Sequence, residues 1–317
     1  YVMNKHKINY IIDLNNFSKY EEMKLSKLTT HTRGFVKIQD GCENFCSYCL
    51  IPYARGHIRS RKIENVIEEI KKVVEEGINE VVITGIHIAS YGRDFKGENI
   101  GLIDLLEEIN KIQGLHRIRL GSIEPTIITD EFVERLSKLD KICDHFHLSL
   151  QSGCTGTLKR MNRRYTTEEF KAVTKRLRAK FPNAALTTDI IVGFPGETDD
   201  EFNTTYEFLK EIAFYKMHIF KYSQRKGTKA AVMPNQVDGK IKERSKKLIE
   251  LSNENEYNYN KKYIGKQVEV LFEEREGEYL KGHTTNYIVV KHKTDKNDLI
   301  NKIAKVTVSE AKQDCLM

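Results

Sequence analysis

The chain has 317 residues, 39% of them hydrophobic and 31% charged, with a formal net charge of +7. That length suits one large domain plus a small one, and that balance excludes a disordered chain. No apolar run approaches the roughly 20 residues needed to span a bilayer, and the first ten residues carry polar groups throughout, unlike a signal peptide.

Residues 1–31 are polar and weakly periodic and read as a tail or linker. Strands and helices then alternate. A short strand covers 34–39. Ile63, Val66, Ile67, Ile70, Val73 and Val74 recur at helical spacing, and Gly77 supplies a stop signal. Residues 80–84 form an apolar run of strand length. Leu102, Leu105, Leu106 and Ile109 mark the next helix. Residues 117–120 are a strand, and Phe132, Val133 and Leu136 lie on a helix. Strands at 145–151, 186–192 and 216–222 alternate with helices at 169–181 and 202–212. Six strands with intervening helices imply a parallel sheet. A full eightfold barrel needs two more units. The expected fold is therefore α/β, an open partial barrel, with a doubly wound sheet as the alternative.

Residues 240–262 read as one long, highly charged helix. Beyond Gly265 the pattern changes to alternation, at Val268, Val270 and Phe272 and again at Val306 and Val308. Gly277, Gly282 and the Thr-Thr-Asn run at 284–286 suit turns between strands. Residues 265–317 thus read as a small all-β module. Its basic and acidic residues are equal in number, so the positive excess lies upstream, in stretches that include Lys159, Arg160, Arg163 and Arg164. A net positive charge is compatible with a nucleic-acid partner and does not by itself require one.

Of six cysteines, Cys42, Cys46 and Cys49 fall within eight residues. A secreted disulfide framework would spread them more evenly. The spacing C-x3-C-x2-C in a reducing compartment points to a metal or a reactive thiol, and thiolates are the natural ligands of iron–sulfur clusters. A loop this short can hold three corners of a cubane. With no fourth cysteine nearby, one iron stays open, as in catalytic metal sites. The alternative is zinc with His57 as fourth ligand. The loop follows the first strand, at the carboxyl end where α/β enzymes place their sites.

Along 145–151, His145, His147, Ser149 and Gln151 share one face, and Phe146, Leu148 and Leu150 share the other. A wholly polar face on a mid-barrel strand suggests a lumen that holds a polar ligand; an edge strand facing water is the alternative. The stretch from Asp189 to Thr198 ends a strand and opens a helix, with Thr198 and Glu201 as a capping box.

The cysteine motif, with an aromatic before its last cysteine, resembles the radical S-adenosylmethionine (SAM) enzymes. The resemblance implies a partial (β/α)6 barrel, a [4Fe–4S] cluster on Cys42, Cys46 and Cys49, and SAM on the open iron. It also implies that reductive cleavage of SAM gives a 5′-deoxyadenosyl radical. On the same grounds Gly85, Glu124, Ser149, Gln151, Asp189, Val192 and Gly193 fall where that family meets SAM.

The run from Leu50 to Arg61 resembles the methylthiotransferases within that family. Residues 84–92 and 120–125 are similar to the branch acting on threonylcarbamoyladenosine beside the tRNA anticodon (MtaB type). The branches acting on isopentenyladenosine or on a ribosomal protein are the alternatives, and a non-catalytic RNA-binding module with a structural metal is a different one. Residues 265–317 resemble the OB-like TRAM domain. Arg55, Arg59, Arg61, Tyr279, Lys281 and Tyr287 are the RNA-contact candidates that follow. The resemblance implies a cytoplasmic tRNA-modifying transferase with an electron-donating reductase and no membrane partner. The expected domains are a tail at 1–31, a radical SAM domain at 32–264 and a TRAM-like domain at 265–317. Members of the family carry a further N-terminal domain whose three cysteines bind a second [4Fe–4S] cluster. Residues 1–41 contain no cysteine, so the chain is expected to lack that cluster, and with it the completion of sulfur insertion.

Overall fold

The computed structural model describes residues 20–22, 32–236, 239–295 and 297–317. The tail expected at 1–31 lies outside these apart from residues 20–22.

The large unit is built from repeated strand–helix pairs. β1 (Arg33–Asp40), β3 (Glu80–Gly85) and β4 (Arg117–Leu120) run parallel in one sheet. β5 (His145–Gln151), β6 (Ala185–Val192) and β7 (Lys216–Lys221) run parallel in a second. Parallel bridges from Ile118 to Ile142 and from Ile123 to Leu148 carry the curl from β4 to β5. The result is six parallel strands in consecutive order, an open partial barrel rather than a doubly wound sheet.

The outer layer follows from amphipathic spacing. α2 (Ile63–Glu75) buries Val66, Ile70 and Val73, one turn apart on one face. α3 (Leu102–Asn110) and α4 (Asp130–Leu136) cover the same sheet, and α6 (Thr167–Lys180) and α7 (Asp199–Ile212) cover the second. α6 and α7 both begin with a capping box. Thr198 Oγ1 accepts from the Glu201 amide at 3.2 Å, and Glu201 accepts from the Thr198 amide at 3.2 Å. On β5, Phe146, Leu148 and Leu150 are fully buried toward the helices. Three short elements escape periodicity: α1 (Ile51–Arg55), β2 (Arg59–Ser60), antiparallel to β1, and α5 (Thr155–Arg160). Segments of two to six residues are too short to show a period.

α8 (Ile241–Asn260) packs along β7, where Ser252 Oγ accepts from the Met217 amide at 2.9 Å. It leads into an antiparallel sheet of β8 (Gln267–Glu276), β9 (Tyr279–Thr284), β10 (Val289–Lys293) and β11 (Ile303–Thr307), in spatial order β10-β9-β8-β11. Its core of Val270, Phe272, Leu280, Ile288, Val290 and Leu316 is continuous with Ala185 and Tyr215 of the barrel. Gly277 occupies a turn as expected, with φ +61. Gly282 does not. It lies inside β9, where a Cβ would sit 2.2 Å from the Leu271 carbonyl oxygen beside a bulge.

A buried charge network fixes this module to the amino-terminal ends of the barrel strands. Glu80, fully buried, accepts from Arg119 Nε at 2.6 Å, with Arg33 Nε at 3.2 Å and Arg117 Nη1 at 3.7 Å. Those arginines reach across: Arg119 to the Thr285 carbonyl at 2.9 Å, Arg117 to the His283 carbonyl at 3.1 Å, and Arg33 to Glu273. The cysteine loop and the Gly193 turn lie on the opposite side, at the carboxyl ends of the strands.

Candidate active site

The cysteine loop leaves β1 through Gly41. Its φ is +75, and a Cβ there would lie 1.8 Å from the His57 carbonyl oxygen, so only glycine fits. Beneath it, fully buried Gln39 donates to the Asp40 and Gly41 carbonyls at 2.7 Å each and accepts from the His87 amide at 2.7 Å. The loop is also clamped from outside. The Ser47 amide donates to the Met161 carbonyl at 3.0 Å, Asn162 to the Phe45 carbonyl at 2.9 Å, and the Ala230 amide to the Ser47 carbonyl at 2.7 Å.

Cys42, Cys46 and Cys49 are free of disulfides and half-buried. Burial pushes the Cys42 and Cys49 thiols up, so both stay protonated until a cation displaces the proton. Arg163 Nη1 donates to the Cys46 sulfur at 3.2 Å. Thiolates on one tetrahedral zinc sit roughly 3.8 Å apart. The three sulfurs are not grouped even within 4.8 Å of one another. His57 is instead exposed and paired with Glu43 at 2.8 Å. The trio therefore fits the corners of a larger cluster better than a single ion.

Glu124 is the hub beside the loop. Asn44 Nδ2 donates to it at 2.6 Å, His87 Nε2 contacts the same oxygen, and Arg163 Nη2 lies 3.6 Å from the other. Burial alone would raise its pKa, but the His87 hydrogen bond, the charges of Arg163 and His87 and the Asn44 hydrogen bond hold the carboxyl down to about 2. Glu124 is thus a fixed anion. Arg163 further donates to the Ser149 carbonyl at 3.1 Å, and Tyr165 donates to the Leu150 carbonyl at 3.0 Å. Together these tie the end of β5 to the cysteine loop.

A model of the radical SAM superfamily matches residues 36–209, which contain the loop and this hub. The chain belongs to the radical SAM superfamily. It is 43% identical over 311 residues to the threonylcarbamoyladenosine tRNA methylthiotransferase MtaB of Bacillus subtilis, across 96% of this chain and 68% of that one. It is 41% identical over 291 residues to a tRNA-2-methylthio-N(6)-dimethylallyladenosine synthase of Thermoanaerobacter sp., across 90% and 61%. The chain thus spans about two thirds of the length of these relatives. Among solved structures, the radical SAM methyltransferase TsrM of Kitasatospora setae shares the fold, with a TM-score of 0.53 at 18% identity over 63% of this chain and 38% of that one. Membership in the superfamily gives the chain a [4Fe–4S] cluster and SAM as cofactors.

The radical SAM barrel distributes the expected SAM residues unevenly. Gly85 ends β3, and a Cβ there would lie 2.9 Å from the Gln39 carbonyl oxygen. Glu124 and Ser149 lie near the loop, with Ser149 Oγ 2.8 Å from Ser122 Oγ. Gln151 ends β5 with φ +74. Asp189 faces the lumen 3.2 Å from His147 Nε2. Val192 is buried, and its carbonyl accepts from the Tyr222 amide at 2.9 Å. Gly193 has φ +71 and lies against Ile241 of α8. Asn44, His87 and Arg163 were not legible as site residues. Nothing periodic marks the first two, and Arg163 sat in a basic run that reads as surface charge.

The RNA-contact candidates divide as well. Arg55 is half exposed. Arg59 and Arg61 are buried: Arg59 donates to the Arg55 and His57 carbonyls, and Arg61 pairs with Glu69 at 2.6 Å and Glu22 at 2.7 Å. Tyr287 sits in the interface network, its ring stacked on His283 at 4.6 Å with the Arg119 guanidinium 4.5 Å from its centroid. Tyr279 and Lys281 are partly exposed on β9, and Lys281 pairs with Glu274 at 2.9 Å.

Proposed function

We propose that this chain is the catalytic portion of a tRNA methylthiotransferase, acting on the adenine ring of threonylcarbamoyladenosine beside the anticodon. The observation that carries the reading is the 43% identity to MtaB across 96% of the chain. The similarity to dimethylallyladenosine synthases makes isopentenyladenosine tRNA the specific alternative.

In this reading Cys42, Cys46 and Cys49 hold the [4Fe–4S] cluster, which with SAM bound supplies a carbon-centred radical. The protein's own part is positional. Arg163 orients the Cys46 sulfur through a hydrogen bond. Glu124, kept ionised by His87, Arg163 and Asn44, presents a fixed negative charge beside the cluster, suited to an ammonium group. Gly85 and Gly193 let the ends of β3 and β6 pack closely against Gln39 and Ile241. An electron donor of reductase type is required, in a reducing cytoplasmic setting.

The proposed domains are a radical SAM unit at 32–264 and a TRAM-like RNA-binding unit at 265–317. Support comes from the change from parallel α/β to antiparallel β after α8. The β module holds the amino ends of the strands, while the cysteine loop leaves the carboxyl end of β1. β1 runs eight residues from Arg33 to Asp40, so its ends lie about 23 Å apart at the usual rise. An RNA touching both must run along the side of the barrel. Arg55, Tyr279 and Lys281 are the contacts we retain. Among the described residues no helix is long and apolar enough to cross a membrane.

The test is an anaerobic assay on tRNA bearing either modified adenosine, with 5′-deoxyadenosine and nucleosides quantified by mass spectrometry. The reading expects 5′-deoxyadenosine formation stimulated by the threonylcarbamoyl tRNA. Stimulation by isopentenyladenosine tRNA alone would favour the alternative branch.

A further inference from the structure

The barrel wall carries a second set of ligand-type side chains, outside the cysteine loop. His147 on β5, Asp189 on β6 and His218 on β7 each offer one donor atom, and the three atoms lie within 4.8 Å of one another. Among the described residues this is the one trio of His, Cys, Asp or Glu that does so. We propose that His147, Asp189 and His218 form a second metal site, binding one divalent ion of the zinc, ferrous or cobaltous type.

Strand register explains why they converge. His147 is level with Thr187, and Asp189, two residues further along β6, is level with His218. Neighbours at one level, and residues two apart, share a face. All three side chains therefore leave the sheet on the side opposite Phe146 and Leu148, which are buried under the helices. That side is the concave one.

The local geometry suits coordination. His147 Nε2 and Asp189 Oδ2 are 3.2 Å apart. Donors bound at about 2.0–2.2 Å to one ion take such a spacing. His147 Nδ1 lies 2.9 Å from Thr187 Oγ1, so its other nitrogen is engaged, as ligating histidines require. The His147 and His218 rings are 5.7 Å apart and inclined at 36°, which leaves room between them.

Two imidazoles and one carboxylate select borderline transition ions, whereas magnesium and calcium take oxygen donors. Three protein ligands leave at least one coordination position for water or for a substrate oxygen or nitrogen. His218 is exposed and Asp189 is partly so, which gives an ion an entry path.

The experiment uses the cluster-reconstituted chain, exposed anaerobically to Zn2+ and desalted, with zinc, iron and sulfide counted together. The expected result is about one zinc per chain over an unchanged iron and sulfide content. H218A and D189N should each weaken zinc binding at least tenfold without loss of iron. His218 is exposed, so H218A keeps the fold, and circular dichroism checks both variants. The chain with Cys42, Cys46 and Cys49 all changed to alanine should still hold zinc. Co2+ in place of Zn2+ should give visible d–d bands without thiolate charge transfer. Absence of retained zinc, retention unaffected by H218A and D189N, or loss of zinc in the triple-cysteine variant would each overturn the proposal. None of these outcomes depends on which tRNA is the substrate.

Discussion

Besides its bonds to Tyr165 and the Ser149 carbonyl, the guanidinium of Arg163 lies 3.2 Å from the Cys46 sulfur and 3.6 Å from Glu124 Oε1. Removing it leaves a buried carboxylate short of a cation, which typically costs about 3–5 kcal/mol. His87 and Asn44 still hold Glu124, so the lower end is expected. Arg163→Gln should therefore lower unfolding free energy by roughly 3 kcal/mol and cut SAM cleavage more than tenfold. Arg163→Lys should recover more stability than turnover, since one ammonium cannot span both partners. Chemical denaturation and anaerobic 5′-deoxyadenosine yield report the two effects separately.

Glu124 makes stability depend on pH in a defined direction. Its folded pKa, about 2, is below the ordinary glutamate value. Its stabilisation is therefore complete above the unfolded-state pKa and is lost as pH falls toward about 2. The linkage is worth about 3 kcal/mol. Wild type should be more stable than Glu124→Gln near neutrality, with the gap narrowing between about pH 5 and pH 3. Thermal melts across that range check it; a gap that stays constant would mean that Glu124 is not paired as described.

The arginines at 55–61 should separate by function. Arg55→Ala should weaken tRNA binding uniformly and reduce the salt slope by about 1, with little change in melting temperature. Arg61→Ala should do the reverse, because it strips Glu69 of a buried partner. Filter binding at several salt concentrations, with melts of the same variants, distinguishes them.

These cases show what the sequence could carry. The six parallel strands were legible because their apolar runs and the amphipathic helices between them have strong periods. Cys42, Cys46 and Cys49 were legible because their spacing has few other uses. The burial of Arg59 and Arg61 was not, because a guanidinium reads alike on a rim or under a loop; Asp40 and the Arg55 and His57 carbonyls decide it for Arg59, and Glu22 and Glu69 for Arg61. The packing of Tyr287 was hidden for a related reason. An aromatic in a β module suggests base stacking, yet its partners Arg33, Arg119 and His145 come from distant strands. Glu124 sat beside a proline with no local sign that Asn44, 80 residues earlier, would meet it.

Glu80 braces the arginines that join the barrel to the β module. Glu80→Gln leaves Arg33, Arg117 and Arg119 clustered around a neutral group. It should cost roughly 3–5 kcal/mol, and both units should still unfold in one transition. Tryptophan reporters, one in each unit since the chain has none, would show coincident curves.

The most direct measurement is metal and sulfide analysis of oxygen-free protein, combined with EPR of the reduced form with and without SAM. The account predicts about four iron and four sulfide per chain, a signal that shifts when SAM is added, and loss of both in a folded Cys46→Ala variant. Protein that carries zinc at the cysteines, lacks inorganic sulfide, or keeps its iron in Cys46→Ala would contradict it.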